Sequence, residues 1–366
     1  MEMTFSIRLW RCPPSRAPHY SIRNSMRTPL CLFLVAAAAL AQTPKSSALD
    51  RLIEAELSRF PAKTGLYVKH LATGEESIHR GNDHFNSASV IKIPVMILAY
   101  RMADQKQLNL DERITIKPSD FRGGSGIFRY HDAGLNPTLR DVITQMIITS
   151  DNTATDLMIA KVGGKEKVNE FLKQNGFTAS FLVQTVFELF RKPYEHLDPQ
   201  YKSLSFEDVF ALQSNLPQFT DSRKDLIKRI RDGMAANKIQ DQMNKLYSED
   251  EAYWLGVVTP TEIGHLLEGI ETGTIASKAA CAEMIRALRA QQSGARRIPH
   301  YLSVPVGHKT GDFPPIVAND VGIVCAKSGA IVMSFFTMGN TGVYAETEDR
   351  MGQVARLVVE YFDGAN

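Results

Sequence analysis

Residues 302–338 read LSVPVGHKTGDFPPIVANDVGIVCAKSGAIVMSFFTM and decide the fold class. Three apolar runs in this stretch, at 302–309, 319–326 and 330–338, are separated by Gly, Pro, Asp and Ser and predict three strands. Each run is too short for a typical helix. The end of the chain therefore predicts strand-rich structure.

A second strand-rich segment lies near the start of the chain. Residues 65–71 alternate apolar and polar positions, Ala72-Thr-Gly74 is a turn sequence, and residues 76–80 read as the second strand of a hairpin. Together the two ends of the chain supply five strands. We expect one sheet built from both ends.

Helical periodicity fills the rest of the chain. Apolar residues recur at helical spacing in 47–60 and again from 86 to about 102, most of 138–268 is helical in pattern, and an amphipathic helix runs over about 348–362. We predict an α/β (α+β) protein of two lobes. Residues 45–85 and 265–366 form the α/β lobe, and 86–264 form a helical lobe with an irregular, charged insertion at about 187–256. A substrate cleft is expected between the lobes.

Composition and charge exclude two classes of protein. The 366 residues are 44% hydrophobic and 22% charged, which is globular and not disordered. Residues 1–41 hold five arginines and one acidic residue, so 37 basic and 39 acidic residues remain for the body. A near-neutral body has no electrostatic footprint for nucleic acid.

Residues 26–41 have the pattern of an export signal. A basic start precedes an apolar run and the sequence Ala39-Leu40-Ala41, which fits a cleavage site with Gln42 as the first mature residue. A membrane anchor is the alternative, but the run is short for a bilayer. Residues 1–25 are unassigned, and Met26 is a candidate start. We expect a secreted or periplasmic protein with no membrane span in its mature chain.

The four cysteines are shared between the leader and the mature chain. Cys12 and Cys31 belong to the leader, whereas Cys281 and Cys325 remain and either pair or stay as two buried thiols. No cluster of Cys or His has metal-ligand spacing, so we expect no metal and no other cofactor.

Three short motifs carry the chemistry: Ser89-Val-Ile-Lys92, Ser150-Asp151-Asn152 and Lys309-Thr310-Gly311. Residues three apart on a helix share a face, so the Lys92 amine can reach the Ser89 hydroxyl and activate it as a nucleophile. Lys92 can act as that base only if burial or a nearby charge, such as Lys309, lowers its pKa. Singly, the motifs are also explained by chance, by a helix cap and by a strand ending in a turn. The occurrence of all three motifs in this order is not explained in these ways.

The ordered set resembles the signature of class A β-lactamases and penicillin-binding proteins. Longer stretches also look similar to that group: FNSASVIKIPV (85–95), GSGIFRY (124–130), LRDVITQMIITSDNTATDLMI (139–159) and HKTGDFPPIVANDVGIV (308–324). The resemblance covers about 45–180 and 257–364. It implies a β-lactamase/transpeptidase-like fold with an antiparallel sheet.

The resemblance also implies roles in acylation. Ser89 would attack the lactam or peptide carbonyl, and Lys92 would take its proton directly or through a water. The backbone N–H groups of Ser89 and Asp312 would form the oxyanion hole. Ser150 would pass a proton to the leaving nitrogen.

Substrate binding is implied for a second set of residues. Asn152 would hold the substrate amide and the Lys92 amine, and Lys309 and Thr310 would bind the substrate carboxylate. The substrate-binding set also includes Gly311 and Asp312, which follow Lys309 and Thr310 in the sequence.

The chain departs from the family where the acyl-enzyme is hydrolysed. The string Glu-x-x-Leu-Asn is absent. Glu188 lies within about two residues of the expected distance from Ser150 and is the candidate base, and Glu195 is a poorer one. The alternative interpretation is that Glu188 and Glu195 are solvated acids on the surface. Without a placed base, acylation proceeds while deacylation is slow.

Two further departures concern charge. No arginine beside Ala318-Asn319-Asp320 takes the place of the family's carboxylate-binding arginine, and Arg350 is a distant candidate. The Asp312 side chain adds an acid at the edge of the site, where it would repel an anionic substrate.

Three functions fit these motifs. The leading one is a secreted class A-like β-lactamase or serine hydrolase acting on cyclic amides through a Ser89 acyl-enzyme. The others are a D,D-peptidase-like or esterase-like hydrolase, and a module that binds penicillin or peptidoglycan stems covalently without turnover. We expect a small-molecule substrate and a monomer.

Overall fold

The structure of the protein, a computed structural model, describes Cys12 and residues 47–364. The predicted export signal, its cleavage near Ala41 and the candidate start at Met26 lie outside the described residues. None of the described helices is long and apolar enough to cross a membrane.

A five-stranded antiparallel sheet joins the two ends of the chain, which confirms the predicted fold class. The strands are β1 (Lys63–His70), β2 (Glu76–His79), β6 (Val306–Phe313), β7 (Val317–Ala326) and β8 (Gly329–Met338). Their order in the sheet is β2-β1-β8-β7-β6. Three short strands form a second sheet in the order β3-β5-β4, namely β3 (Phe85–Asn86), β4 (Phe181–Leu182) and β5 (Gly256–Val258).

Thirteen α-helices occur among the described residues. They are α1 (Ser47–Leu57), α2 (Lys92–Asp104), α3 (Leu139–Ile148), α4 (Asn152–Lys161), α5 (Gly164–Gln174), α6 (Val186–Leu197), α7 (Phe206–Gln213), α8 (Pro217–Thr220), α9 (Lys224–Ala236), α10 (Ile239–Glu249), α11 (Pro260–Thr272), α12 (Lys278–Arg289) and α13 (Tyr344–Gly364).

Helices cover both faces of the large sheet. On one face Leu49 and Ile53 of α1 pack with Val354 and Val358 of α13. Helices α11 and α12 contact the sheet from the other side. All ten residues of β7 are buried, as a central strand covered on both faces requires.

One apolar core continues from the sheet into the helical middle of the chain. It includes Val321 and Phe336 of the sheet together with Val95, Ile143 and Met158 of the helices. The lobe boundaries at 45–85 with 265–366 and at 86–264 stay a prediction.

The insertion at 187–256 is more regular than its charged sequence indicates. It contains most of α6 and all of α7 to α10, and it has its own apolar cluster, which includes Phe187, Tyr194, Val209 and Ile230. Tyr247 of α10 stacks on Phe313 of β6, with ring centroids 4.8 Å apart. The insertion therefore packs against the strand that carries Lys-Thr-Gly.

Neither alternative predicted for the mature cysteines holds in the structure. Cys325 on β7 forms a disulfide with Cys12, a residue assigned to the leader. Cys281 is a buried thiol on α12. A chain cleaved after Ala41 would no longer include Cys12, so in the structure the disulfide belongs to the uncleaved chain.

Candidate active site

Ser89 and Lys92 lie on one face of a tight helical turn. A 3-10 turn over Ala88–Ile91 leads into α2, and the Lys92 amide donates to the Ser89 carbonyl. In a 3-10 turn residues i and i+3 eclipse, so the two side chains share a side. The turn begins with Ala88 at φ 42°, a value that is unusual for alanine and typical of positions held by a functional site.

The Lys92 amine is fully buried and has three acceptors. Its Nζ donates to the Ser150 carbonyl at 2.7 Å, the Ser150 Oγ at 3.1 Å and the Asn152 Oδ1 at 2.9 Å. The side chain is 0% exposed. The first and second motifs are therefore joined directly by hydrogen bonds.

The turn Ser150-Asp151-Asn152 is held by a glycine-rich loop. Ser150 has φ 55°, and its carbonyl also accepts from the Ser125 hydroxyl at 2.9 Å. The Asn152 Nδ2 donates to the Gly123 carbonyl at 3.0 Å. These bonds orient the Asn152 Oδ1 toward Lys92.

Asp151 performs the structural part of the motif. One of its oxygens caps α4 through the Ala154 amide, and the other accepts from the amides of Ile127 and Phe128 at 2.7 and 2.8 Å. A side chain on Gly126 would meet this carboxylate, since its Cβ would lie 2.3 Å from Oδ2. The stretch GSGIFRY therefore wraps around Asp151.

Lys309 completes the cluster from β6. Its Nζ donates to the Ser150 Oγ at 3.0 Å and to the Thr310 carbonyl at 3.0 Å. The Ser150 hydroxyl thus lies between two buried amines. A hydroxyl has one proton and two lone pairs, so it can accept from Lys309 while it donates to a neutral Lys92.

Burial lowers the pKa of both amines. Burial, followed by the positive charge of Lys309, lowers the pKa of Lys92 well below its ordinary value. Burial lowers the pKa of Lys309 to about 7, while Asp312 and Asp320 oppose that shift. The arrangement favours a neutral Lys92 beside a protonated Lys309.

Gly311 lets the edge of β6 approach the Ser89 turn. A Cβ at this position would lie 2.6 Å from the Ser87 carbonyl oxygen, so no larger residue fits without movement. Asn319 on β7 also ties the strands to this turn, because its Nδ2 donates to the carbonyls of Asn86 and Ser87.

A cavity of about 290 Å³ opens beside Ser89. The residues that line it are Ala88, Ser89, Gly124, Ser125, Asn152, Val186, Leu189, Phe190, Leu255, Asp312 and Phe313. The volume is close to the lower end for small-molecule sites. Ser89, Asn152 and Asp312 thus meet at one opening, with Lys92 and Lys309 buried behind it.

One wall of the cavity is the first half of α6, which contributes Val186, Leu189 and Phe190. Asp156 fixes this wall, because its carboxylate accepts from the amides of Val186 and Phe187 at 2.7 and 3.0 Å and from Arg122 at 2.7 Å. The wall is therefore apolar and firmly attached to α4.

Glu188 lies on α6 but caps the helix. Its Oε2 accepts from the Thr185 amide at 2.7 Å and the Thr185 hydroxyl at 3.0 Å, and its own amide donates to the Thr185 Oγ1. It is not among the residues that line the cavity, and Glu195 pairs with Arg191. These contacts favour the structural interpretation of both acids.

Arg297, which none of the sequence motifs indicates, lies close to Asp312. Its guanidinium donates to Glu348 at 3.0 Å, to the Asn319 carbonyl at 2.7 Å and to the Asp312 Oδ1, and its side chain is 2% exposed. Arg350, the distant candidate, is not among the residues that line the cavity. The pattern GARRIPH carried no signal of this contact, since 15 residues separate Arg297 from Asp312.

The comparisons with known proteins identify the family. The family model described as the Beta-lactamase enzyme family matches residues 47–362. The chain belongs to this family. Beta-lactamase L2 of Stenotrophomonas maltophilia is 30% identical over 162 residues, which are 44% of this chain and 53% of that protein. The chain thus spans about half the length of this relative.

Solved structures of the family share the fold over most of the chain. A beta-lactamase from Sphaerobacter thermophilus DSM 20745 has a TM-score of 0.63 and 25% identity, and covers 87% of this chain and 98% of its own. A point mutant of PBP-A, in an acyl-enzyme complex with penicillin-G, has a TM-score of 0.63 and 22% identity, and covers 89% of this chain and 100% of its own. The insertion does not prevent either match.

Proposed function

We propose that this protein is a serine hydrolase of the β-lactamase type that opens cyclic amides by acylation of Ser89. One observation carries the proposal. Lys92, Ser150, Asn152 and Lys309 meet in a single hydrogen-bonded cluster beside the cavity that Ser89 lines. Buried amines with lowered pKa values are what a Ser-x-x-Lys mechanism needs.

Acylation uses the groups in a defined order. The Ser89 Oγ attacks the lactam carbonyl while its proton passes to Lys92. The backbone amides of Ser89 and Asp312 stabilise the negative charge on the carbonyl oxygen, since β6 is the edge strand of the sheet and its outer amides face no other strand. The C–N bond then breaks, and Ser150 delivers a proton to the leaving nitrogen.

Substrate binding falls to the edge of β6 and to Asn152. Asn152 lines the cavity and also contacts Lys92, so it can position the substrate amide relative to the base. Residues 309–312 would lie along the substrate. Water then adds to the Ser89 ester and releases the ring-opened acid.

A second function is favoured by the α6 wall. Val186, Leu189 and Phe190 line the side of the cavity, and the carboxylate of Glu188 caps the helix instead of facing it. A site that acylates without a placed base for water captures its substrate covalently and releases it slowly. The PBP-A mutant, which has a similar fold, forms an acyl-enzyme complex with penicillin-G.

One assay separates the functions. The purified protein is mixed with a chromogenic cephalosporin, and colour and intact mass are followed together. Repeated turnover supports the β-lactamase, and a persistent adduct with one equivalent of colour supports covalent capture. Ser89→Ala is the control. Colour development that survives this substitution would contradict the proposal, and cleavage of a peptide or ester alone would favour a D,D-peptidase-like or esterase-like enzyme.

We further propose that the protein acts outside the cytoplasm as a monomer. The pattern of residues 26–41 supports export, and the cell-wall substrates that such chemistry fits lie there. Sequencing of the exported protein tests this. A mature chain that begins at Gln42 supports export by cleavage, and one that retains Cys12 contradicts it.

A further inference from the structure

The charge that faces the cavity is negative. Among the described residues that line it, Asp312 is the only charged one, and its side chain is 37% exposed. Lys92 and Lys309 are both 0% exposed and lie behind the lining. A substrate therefore meets the carboxylate before it meets either amine.

The nearby arginine is already neutralised. Arg297 donates through Nη2 to Asp312, through Nε to Glu348 and through Nη1 to the Asn319 carbonyl. The Tyr344 hydroxyl donates to the same Asp312 oxygen at 2.8 Å. With two carboxylates around one guanidinium, this group carries a net negative charge and offers no free receptor to an anion.

The Thr310 hydroxyl is also occupied. It forms a 2.7 Å hydrogen bond with the Ser293 hydroxyl, and the residue is 1% exposed. The resemblance implies that Lys309 and Thr310 bind a substrate carboxylate. In this chain both groups are buried and committed to other partners.

We propose that Asp312 determines specificity, and that the site selects acyl donors whose leaving group is neutral or cationic and carries no carboxylate. This inference rests on the proposed acylation of Ser89. A carboxylate on the leaving side would approach Asp312 in a partly desolvated cavity, where two like charges repel more strongly than in water. An ammonium group at the same place would pair with the exposed part of Asp312.

The wild-type protein tests this without any substitution. Three forms of one penicillin nucleus serve as probes: benzylpenicillin (anionic), its methyl ester (neutral) and its 2-(diethylamino)ethyl ester (cationic). Second-order acylation rate constants are measured by intact mass at about pH 6, where the pKa of about 7 keeps Lys309 protonated. The cationic and neutral esters are expected to acylate Ser89 about tenfold or more faster than the acid.

Two variants show that Asp312 causes the preference. Asp312→Asn keeps the backbone amide and the size of the side chain but removes the charge, so that Glu348 is the one carboxylate still paired with Arg297. Its ratio of acid to methyl-ester rate constants is expected to rise about tenfold or more. Asp312→Glu is the matched control and should keep the wild-type ratio. Thermal melting checks that both variants fold.

The outcomes separate the two proposals. If the wild-type protein is acylated fastest by benzylpenicillin, or if Asp312→Asn leaves the ratio unchanged, the specificity inference is overturned while acylation of Ser89 stands. If folded wild-type protein neither forms an adduct with any probe nor hydrolyses any of them, the proposed function itself fails, and the specificity inference fails with it. A higher ratio in Asp312→Asn, with an unchanged ratio in Asp312→Glu, supports both.

Discussion

The two walls of the cavity beside Ser89 are built from opposite kinds of chemistry. On the first, Ser125 and Asn152 stand in front of two buried amines, and their side chains are hydrogen-bonded to Ser150 and Lys92. On the second, α6 presents Val186, Leu189 and Phe190. The first wall can activate a serine and protonate a leaving group. The second is apolar and none of these three side chains is a base, so the comparison separates formation of an acyl-enzyme from its hydrolysis.

The polar wall is also the strained one. Ala88 and Ser150 both have positive φ values, at 42° and 55°. Each such residue costs on the order of 1 kcal/mol, and surrounding contacts must hold it in place. For Ser150, these contacts are the hydrogen bonds that its carbonyl accepts from Lys92 and Ser125.

Removal of the Lys92 amine should slow acylation strongly. In Lys92→Met, a side chain of similar length remains without the amine, and acylation by the methyl ester of benzylpenicillin should slow by about 10²–10⁴-fold. Quenched-flow sampling with intact mass measures the rate. Thermal melting controls for folding, and a folded variant that acylates at the wild-type rate would exclude Lys92 as the base.

Addition of a carboxylate to the apolar wall should accelerate hydrolysis of the acyl-enzyme. Leu189→Glu places an acid where α6 lines the cavity, and decay of the acyl-enzyme should accelerate by about 10²-fold or more if a base for water is what the wall lacks. Leu189→Gln, of the same size but without a base, is the control. Equal decay in both variants would show that slow release has another cause.

The pH dependence of the acylation rate should report the protonation state of Lys309. Its pKa of about 7 predicts that acylation falls as pH rises above about 7, by about tenfold per unit, because a neutral Lys309 removes the positive charge that makes the Ser150 hydroxyl a better proton donor to the leaving nitrogen. Asp312 raises the pKa of Lys309, so Asp312→Asn should move this limb to lower pH. The neutral methyl ester is the probe. A limb that moves to higher pH would contradict the assignment.

The smallest effect is expected at Glu188. Glu188→Ala removes the capping contact to Thr185 and should cost about 1 kcal/mol of unfolding free energy, while the decay of the acyl-enzyme stays unchanged. Glu188→Gln keeps an oxygen that can accept from Thr185 and should cost less. Urea denaturation and decay of the adduct are measured together. A slower decay in both variants would restore Glu188 as a base.

The sequence predicts the sheet well and supplies the residues of the polar wall in three short motifs, for physical reasons. Strand runs such as 330–338 are nearly all apolar because β8 is buried in the middle of the sheet, and its bounds, Gly329–Met338, differ by one residue from the prediction. Lys92, Ser150 and Lys309 belong to local motifs whose residue types are demanded by the chemistry. Their convergence follows once the family is recognised.

The other parts of the site depend on contacts that no local pattern records. Arg297 meets Asp312 across 15 residues, and Asp156 holds Val186 across 30. The Cys12–Cys325 disulfide spans 313 residues and joins the body to a segment that the composition assigns to a leader. Glu188 has the correct spacing for a base, but the sequence Thr185-Val-Phe-Glu188 is also a capping box, and the structure contains that box.

The most direct test of the account is to locate the acyl group. Cleavage after Arg80 and Lys92 releases the peptide GNDHFNSASVIK, residues 81–92, which contains Ser87 and Ser89. After reaction with the methyl ester of benzylpenicillin, fragmentation mass spectrometry should place the added mass on Ser89, and Ser87→Ala should still be labelled. An added mass on Ser87 or on any other peptide, with Ser89 unmodified, would contradict the account.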